Sequence, residues 1–197
     1  DLRHTMGSRV VRLGAGGGPS MSPDGQWVVA RLPSTDQHVL YPVGPGQNVT
    51  LDRGSVEHYG STLQWFPDGR RVLICGTGHA ALSRCYEQPI PSGAPTAITR
   101  EGVSSALLAP DGRTLLIRTT SGANEVMTIA GGPPSPVRGL QADDSPIAWT
   151  ADSRALVVRS HGQEVPAPLE RVDPVTGART LLKVLAPPNR AGVVAVG

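Results

Sequence analysis

A chain of 197 residues with a formal charge of +2, 17% charged and 4% aromatic, has room for one core built mainly from aliphatic side chains. Glycine (24) and proline (19) together make up about a fifth of it, which demands many turns yet stays short of low-complexity composition. The near-neutral balance neither suggests a nucleic-acid footprint nor excludes a local basic patch, and no run reaches the roughly 18 apolar residues of a membrane span.

The N-terminal DLRHTMGSRVVRL has neither a start methionine nor a signal-peptide core, so the chain reads as an excerpt. GAGGGP (14–19) then reads as a flexible connection, because it lacks the Lys-Ser/Thr that completes a phosphate loop. The first strand pair follows in MSPDGQWVVARL (21–32), and the same pattern returns three times: WFPDGRRVLICG (65–76), LAPDGRTLLIRT (108–119) and WTADSRALVVRS (149–160). Asp24, Asp68, Asp111 and Asp152 are spaced by 44, 43 and 41 residues. Met21, Trp65, Leu108 and Trp149 stand three residues before them. Positions four, five and six after each aspartate are apolar, so the second strand of each copy is expected to be buried on both faces.

Between the copies the remaining strands fall at about 84–90 (RCYEQPI) and 95–99 (PTAIT), then 124–130 (NEVMTIA) and 135–140 (SPVRGL). The last pair is APLERVD (167–173) and ARTLLKVL (178–185). Four strands per unit of roughly 40 residues is the signature of a propeller blade. The predicted fold is therefore all-β, a β-propeller of four-stranded antiparallel blades in a single domain, with repeats at about 17–52, 61–100, 103–140 and 145–185. The end segments 1–13 and 191–197 (the latter within AGVVAVG) are expected either to share a fifth, closing blade or to belong to a larger ring.

The SPDG, FPDG and APDG turns between apolar strands resemble the Pro-Asp repeats of TolB-like β-propellers. The fourth copy departs from the pattern, with Ala151 for proline and Ser153 for glycine. PSGAPTAIT and TGARTLLKV look most like propellers fused to bacterial serine/threonine kinases, although no kinase Gly-rich loop, HRD or DFG is present. The resemblance implies a non-catalytic scaffold for a protein, peptide or small ligand, acting as the sensory or interaction module of a larger bacterial protein. The alternative is a hydrolase using channel carboxylates and His58, or the propeller portion of a prolyl-oligopeptidase-like enzyme.

The repeated aspartates invite a catalytic reading, but proline presets φ for the first turn position, aspartate suits the second and glycine the third. A residue that recurs once per blade is expected to make a turn. Gly76-x-Gly78-x-x-Ala81 imitates a dinucleotide fingerprint, yet it follows a blade strand and position 96 is threonine where an acid is needed. Asn48-Val49-Thr50 is a formal glycosylation sequon. His4, His38, His58, His79 and His161 are scattered without ligand spacing, so neither a metal nor another cofactor is expected.

Cys75 and Cys85, ten apart across a hairpin, are either a disulfide in an oxidising compartment or two buried thiols. The expected location is periplasmic or extracytoplasmic, with cytoplasmic as the alternative. Ligand-binding residues are expected in the blade-to-blade connections 52–60, 100–105 and 139–146, which supply Glu57, His58, Tyr59, Glu101, Asp143 and Asp144. Arg31, Arg118 and Arg159, each seven residues after its aspartate, are either a solvated rim paired with carboxylates such as Asp36 or Glu164, or a basic face for an anionic partner. The expected partner is a protein or peptide, not nucleic acid, and the expected state a monomer or a paired half-ring.

Overall fold

A computed structural model describes residues 12–79, 82–160 and 166–186; His4, His161, Glu164 and the end segments 1–11 and 191–197 lie outside them. The described residues contain no helix and form four antiparallel four-stranded sheets, the blades of a β-propeller. The first sheet runs β1 (Gly17–Met21), β2 (Trp27–Leu32), β3 (Gln37–Pro42), β4 (Val49–Thr50). The second runs β5 (Val56–Trp65), β6 (Arg71–Gly78), β7 (Arg84–Pro89), β8 (Thr96–Ala97). The third is β9 (Val103–Leu108), β10 (Thr114–Thr119), β11 (Asn124–Thr128), β12 (Ser135–Pro136). The fourth is β13 (Ser145–Trp149), β14 (Leu156–Arg159), β15 (Ala167–Val172), β16 (Arg179–Leu185). The chain divides into two compact units, 1–106 and 107–197, with the boundary inside β9.

The alternation of side chains explains why the second strands are apolar throughout. In the first unit Val29 and Leu40 face a cluster completed by Val56, Tyr59, Val72, Ile74 and Tyr86 of the next sheet. Their neighbours Val28, Ala30, Val39 and Tyr41 turn to the opposite face and pack with Leu13 and Leu32. In the second unit Ala109 and Leu116 meet Trp149, Leu156, Val158 and Val172 in the same way. Burying one such side chain stabilises by roughly 1.5–3 kcal/mol, so the sheets are held by facing layers and not by their edges.

The aspartates close the hairpins between first and second strands. Asp24, Asp68, Asp111 and Asp152 each accept, through Oδ1, the backbone N–H two residues on, at 2.8 to 3.1 Å. The next residue is left-handed in every copy: Gly25, Gly69 and Gly112 at φ 71°, 66° and 67°, and Ser153 at φ 59°. Glycine meets that requirement without steric cost. Ser153 bears the strain in the fourth copy, and its Oγ accepts the Asp111 backbone N–H at 3.0 Å.

Two boundaries differ from the sequence reading. Gly17, Gly18 and Pro19 belong to β1, where a bulge between Gly17 and Ser20 absorbs them. The segment 52–60 is a connection only as far as residue 55. Val56 and Tyr59 are buried, so the chain is already in β5, with irregularities on either side of His58 and Tyr59. Gly76 accommodates this early start. A β-carbon there would lie 2.6 Å from the His58 carbonyl oxygen, which accounts for a glycine that imitated a nucleotide fingerprint.

Candidate functional site

Charged side chains in the first unit converge on Asp36, the turn residue between β2 and β3, held at φ 52°. Arg31 reaches it from the β2 end, Nε donating to Oδ1 at 2.5 Å, and its Nη1 donates to the Gly60 carbonyl at 3.3 Å. Arg53 donates through Nη2 to the Asp36 and Glu57 carbonyl oxygens at 2.7 and 2.9 Å, and lies 3.7 Å from Oδ2. The Tyr59 N–H donates to Oδ2 at 3.3 Å, and His58 Nδ1 stands 3.9 Å from it. Burial works to raise the Asp36 carboxyl, but the Arg31 and Tyr59 hydrogen bonds and the two guanidinium charges hold it below the carboxylate range.

Behind this cluster His38 is 1% exposed and packs its ring against Tyr59, centroids 4.1 Å apart. Burial, helped by the charges of Arg31 and Arg53 and opposed by Asp36, lowers its pKa to about 4, so it is neutral near pH 7. Its Nδ1 has no hydrogen-bond partner. Burial also raises the Tyr59 phenol, whose hydroxyl is likewise unpartnered.

Two cavities flank the cluster. One, of about 390 Å³, lies between β1 and β5 and is reached by Arg31 and His38. The other, of about 740 Å³, spans one end of the second sheet. Val56, Tyr86 and Ala97 give it an apolar side, while Arg53, Glu57, His58, His79 and Arg84 supply charge and hydrogen bonds. Within it His79 Nδ1 sits 3.0 Å from Glu57 Oε1, and Arg84 is ion-paired with Glu101.

The structure thus brings Glu57, His58 and Tyr59 together with Arg31, and places Glu101 within reach through Arg84. Asp144 has a different setting. Its side chain is fully buried against Arg179, which donates to Oδ2 and Oδ1 at 2.5 and 3.2 Å. Arg179 also binds Glu170 and the Ser160 hydroxyl, the latter at 2.7 Å. One guanidinium therefore ties together residues at or beside all four strands of the fourth sheet. These hydrogen bonds keep the Asp144 and Glu170 carboxyls below the usual range and raise Arg179 further, so this is a structural clamp.

Asp143 is exposed beside it. Of the three repeated arginines, Arg31 is paired with Asp36, Arg118 is exposed and Arg159 half-buried. Cys75 and Cys85 are opposed on β6 and β7 and joined by a disulfide, both fully buried. Sequence reading missed Arg53, Arg84 and Arg179. None occupies a repeated position, and the signal that finds them is strand register.

No protein-family model and no curated protein sequence matches the chain. Solved structures do. A putative TolB from Agrobacterium tumefaciens superposes with a TM-score of 0.66 at 18% identity, over 84% of this chain and 60% of that one. An oligogalacturonate lyase in complex with manganese gives 0.66 at 14%, over 85% and 53%. One from Vibrio parahaemolyticus gives 0.67 at 13%, over 90% and 56%. The likeness is one of fold, that of the TolB-like β-propellers, and the chain spans about half to three-fifths of the length of these structures.

Proposed function

We propose that this propeller is an extracytoplasmic binding module that takes an extended segment of a protein or peptide partner across the cavity on the second sheet. The observation that carries this reading is the composition of that cavity. An apolar side formed by Val56, Tyr86 and Ala97 runs beside charged groups presented by strand ends and loops. Apolar area supplies affinity, and a few placed polar groups supply orientation. The cavity reaches Ala97 of β8, the edge strand of its sheet, where a partner's backbone can add hydrogen bonds. The buried disulfide supports an oxidising compartment.

Selection from a displayed peptide library on the purified protein, followed by anisotropy titration of the enriched peptides, tests the proposal. Glu57→Ala with His58→Ala should weaken binding at least tenfold, and Arg84→Ala should weaken it comparably. Enriched peptides that bind all variants equally would place recognition elsewhere. Cleavage of oligogalacturonate, the substrate class named for two of the similar structures, would replace the binding reading with a catalytic one.

A further inference from the structure

The smaller cavity carries an inference independent of the partner cleft. We infer that the 390 Å³ cavity between β1 and β5 is a binding site for a carboxylate, held by Arg31 above the buried ring of His38.

Four observations support this. Among the described residues Arg31 is the one permanently charged side chain lining the cavity, and its side chain is 39% exposed. Its Nε and Nη1 are engaged by Asp36 and Gly60, while Nη2 makes no hydrogen bond within the described residues. The positive charge here is under-compensated, because Asp36 is shared between Arg31 and Arg53. A guanidinium edge with donors to spare is the group that best matches a planar carboxylate.

His38 supplies the second element. Its ring is 1% exposed and lines the cavity as a fixed, water-poor floor, where a charge-assisted hydrogen bond from Arg31 is less screened than in open water. The third is room. The wall on the β1 side is Gly17 and Gly18, where an added β-carbon would meet nothing within 4 Å. The fourth is the mixed remainder: Ser61 offers a hydroxyl at the rim, and Pro33 and Leu63 an apolar surface for a short carbon chain. A small organic acid and the carboxyl terminus of a peptide present the same chemistry to this site.

Calorimetric titration of the whole chain with propionate, propionamide, inorganic phosphate and a blocked tripeptide as free acid or C-terminal amide tests the assignment. Propionate should bind at least tenfold more tightly than propionamide. A tripeptide acid that binds tenfold better than propionate supports a chain terminus as the natural source, and equal binding supports a small acid. Arg31→Gln should abolish the preference for acid over amide.

Because Arg31 also holds Asp36, Gly17→Leu provides the second variant. Gly17 has no left-handed φ, so a side chain there fills the cavity without straining the backbone, and it should reduce propionate binding at least tenfold at unchanged thermal midpoint. Equal affinity for acid and amide, phosphate binding as tight as propionate, or full binding by Gly17→Leu would each overturn the inference. None of these outcomes depends on the cleft over the second sheet.

Discussion

At the residue scale His38 is a histidine only 1% exposed, and its behaviour with pH follows from that burial. Burial, Arg31 and Arg53 disfavour the imidazolium, so the folded pKa is about 4 against 6.5 for an ordinary histidine. Between these values the unfolded chain binds a proton that the folded chain refuses. Stability therefore falls as pH falls from 6.5 towards 4, by about 1.4 kcal/mol per unit and about 3 kcal/mol over the window. Asp36, Asp144 and Glu170 have lowered pKa values, and their contribution is lost only at more acidic pH. Urea denaturation at pH 7 and pH 5 should show the protein losing about 2 kcal/mol. His38→Phe keeps a ring packed at a tilt against Tyr59 and removes the titration, so its loss should be under about 0.5 kcal/mol. Equal losses in both proteins would remove His38 as the cause.

At the element scale the same device joins neighbouring blades in each unit. Trp65 Nε1 donates to the Ser20 carbonyl at 3.0 Å, and Trp149 Nε1 donates to the Leu107 carbonyl at 3.0 Å. Both tryptophans stand three residues before a turn aspartate, and both acceptors stand four residues before the previous one. The first strands of consecutive blades are thereby fastened at one fixed offset. The repeat made the tryptophans visible in the sequence. It could not show their acceptors, because a backbone carbonyl leaves no mark in residue identity. Trp65→Phe and Trp149→Phe each remove the indole donor from that carbonyl and shrink a packed ring, so each should cost about 1–3 kcal/mol in denaturant unfolding. Trp27→Phe is the control. Trp27 packs at the edge of the first cluster and donates no indole hydrogen bond among the described residues, so its cost should stay below about 1 kcal/mol.

At the scale of the whole molecule, periodic features were legible and aperiodic ones were not. Strand order, the two-faced burial of β2, β6 and β10, and the aspartate turns all follow from a pattern that the sequence states four times. The Asp36 cluster and the Arg179 clamp depend on side chains that occur once, brought together by register and by the early start of β5. The disulfide lies between these cases. The hairpin suggested the Cys75–Cys85 pairing, but only register puts the two residues opposite each other.

The disulfide also gives the blades unequal support, since it occurs in the second sheet alone among the described residues. Closing a loop of about ten residues restricts the unfolded chain by roughly 2–3 kcal/mol at 25 °C. Denaturation with and without reductant should therefore differ by that amount. Cys75→Val with Cys85→Val should lie near the reduced protein and be indifferent to reductant, because valine fills most of the fully buried space of each cysteine. If reductant leaves the midpoint of the unmodified protein unchanged, the hairpin is held by its ladder and the Ile74–Tyr86 layer alone. The bridge would then lose its weight as an argument for an oxidising compartment.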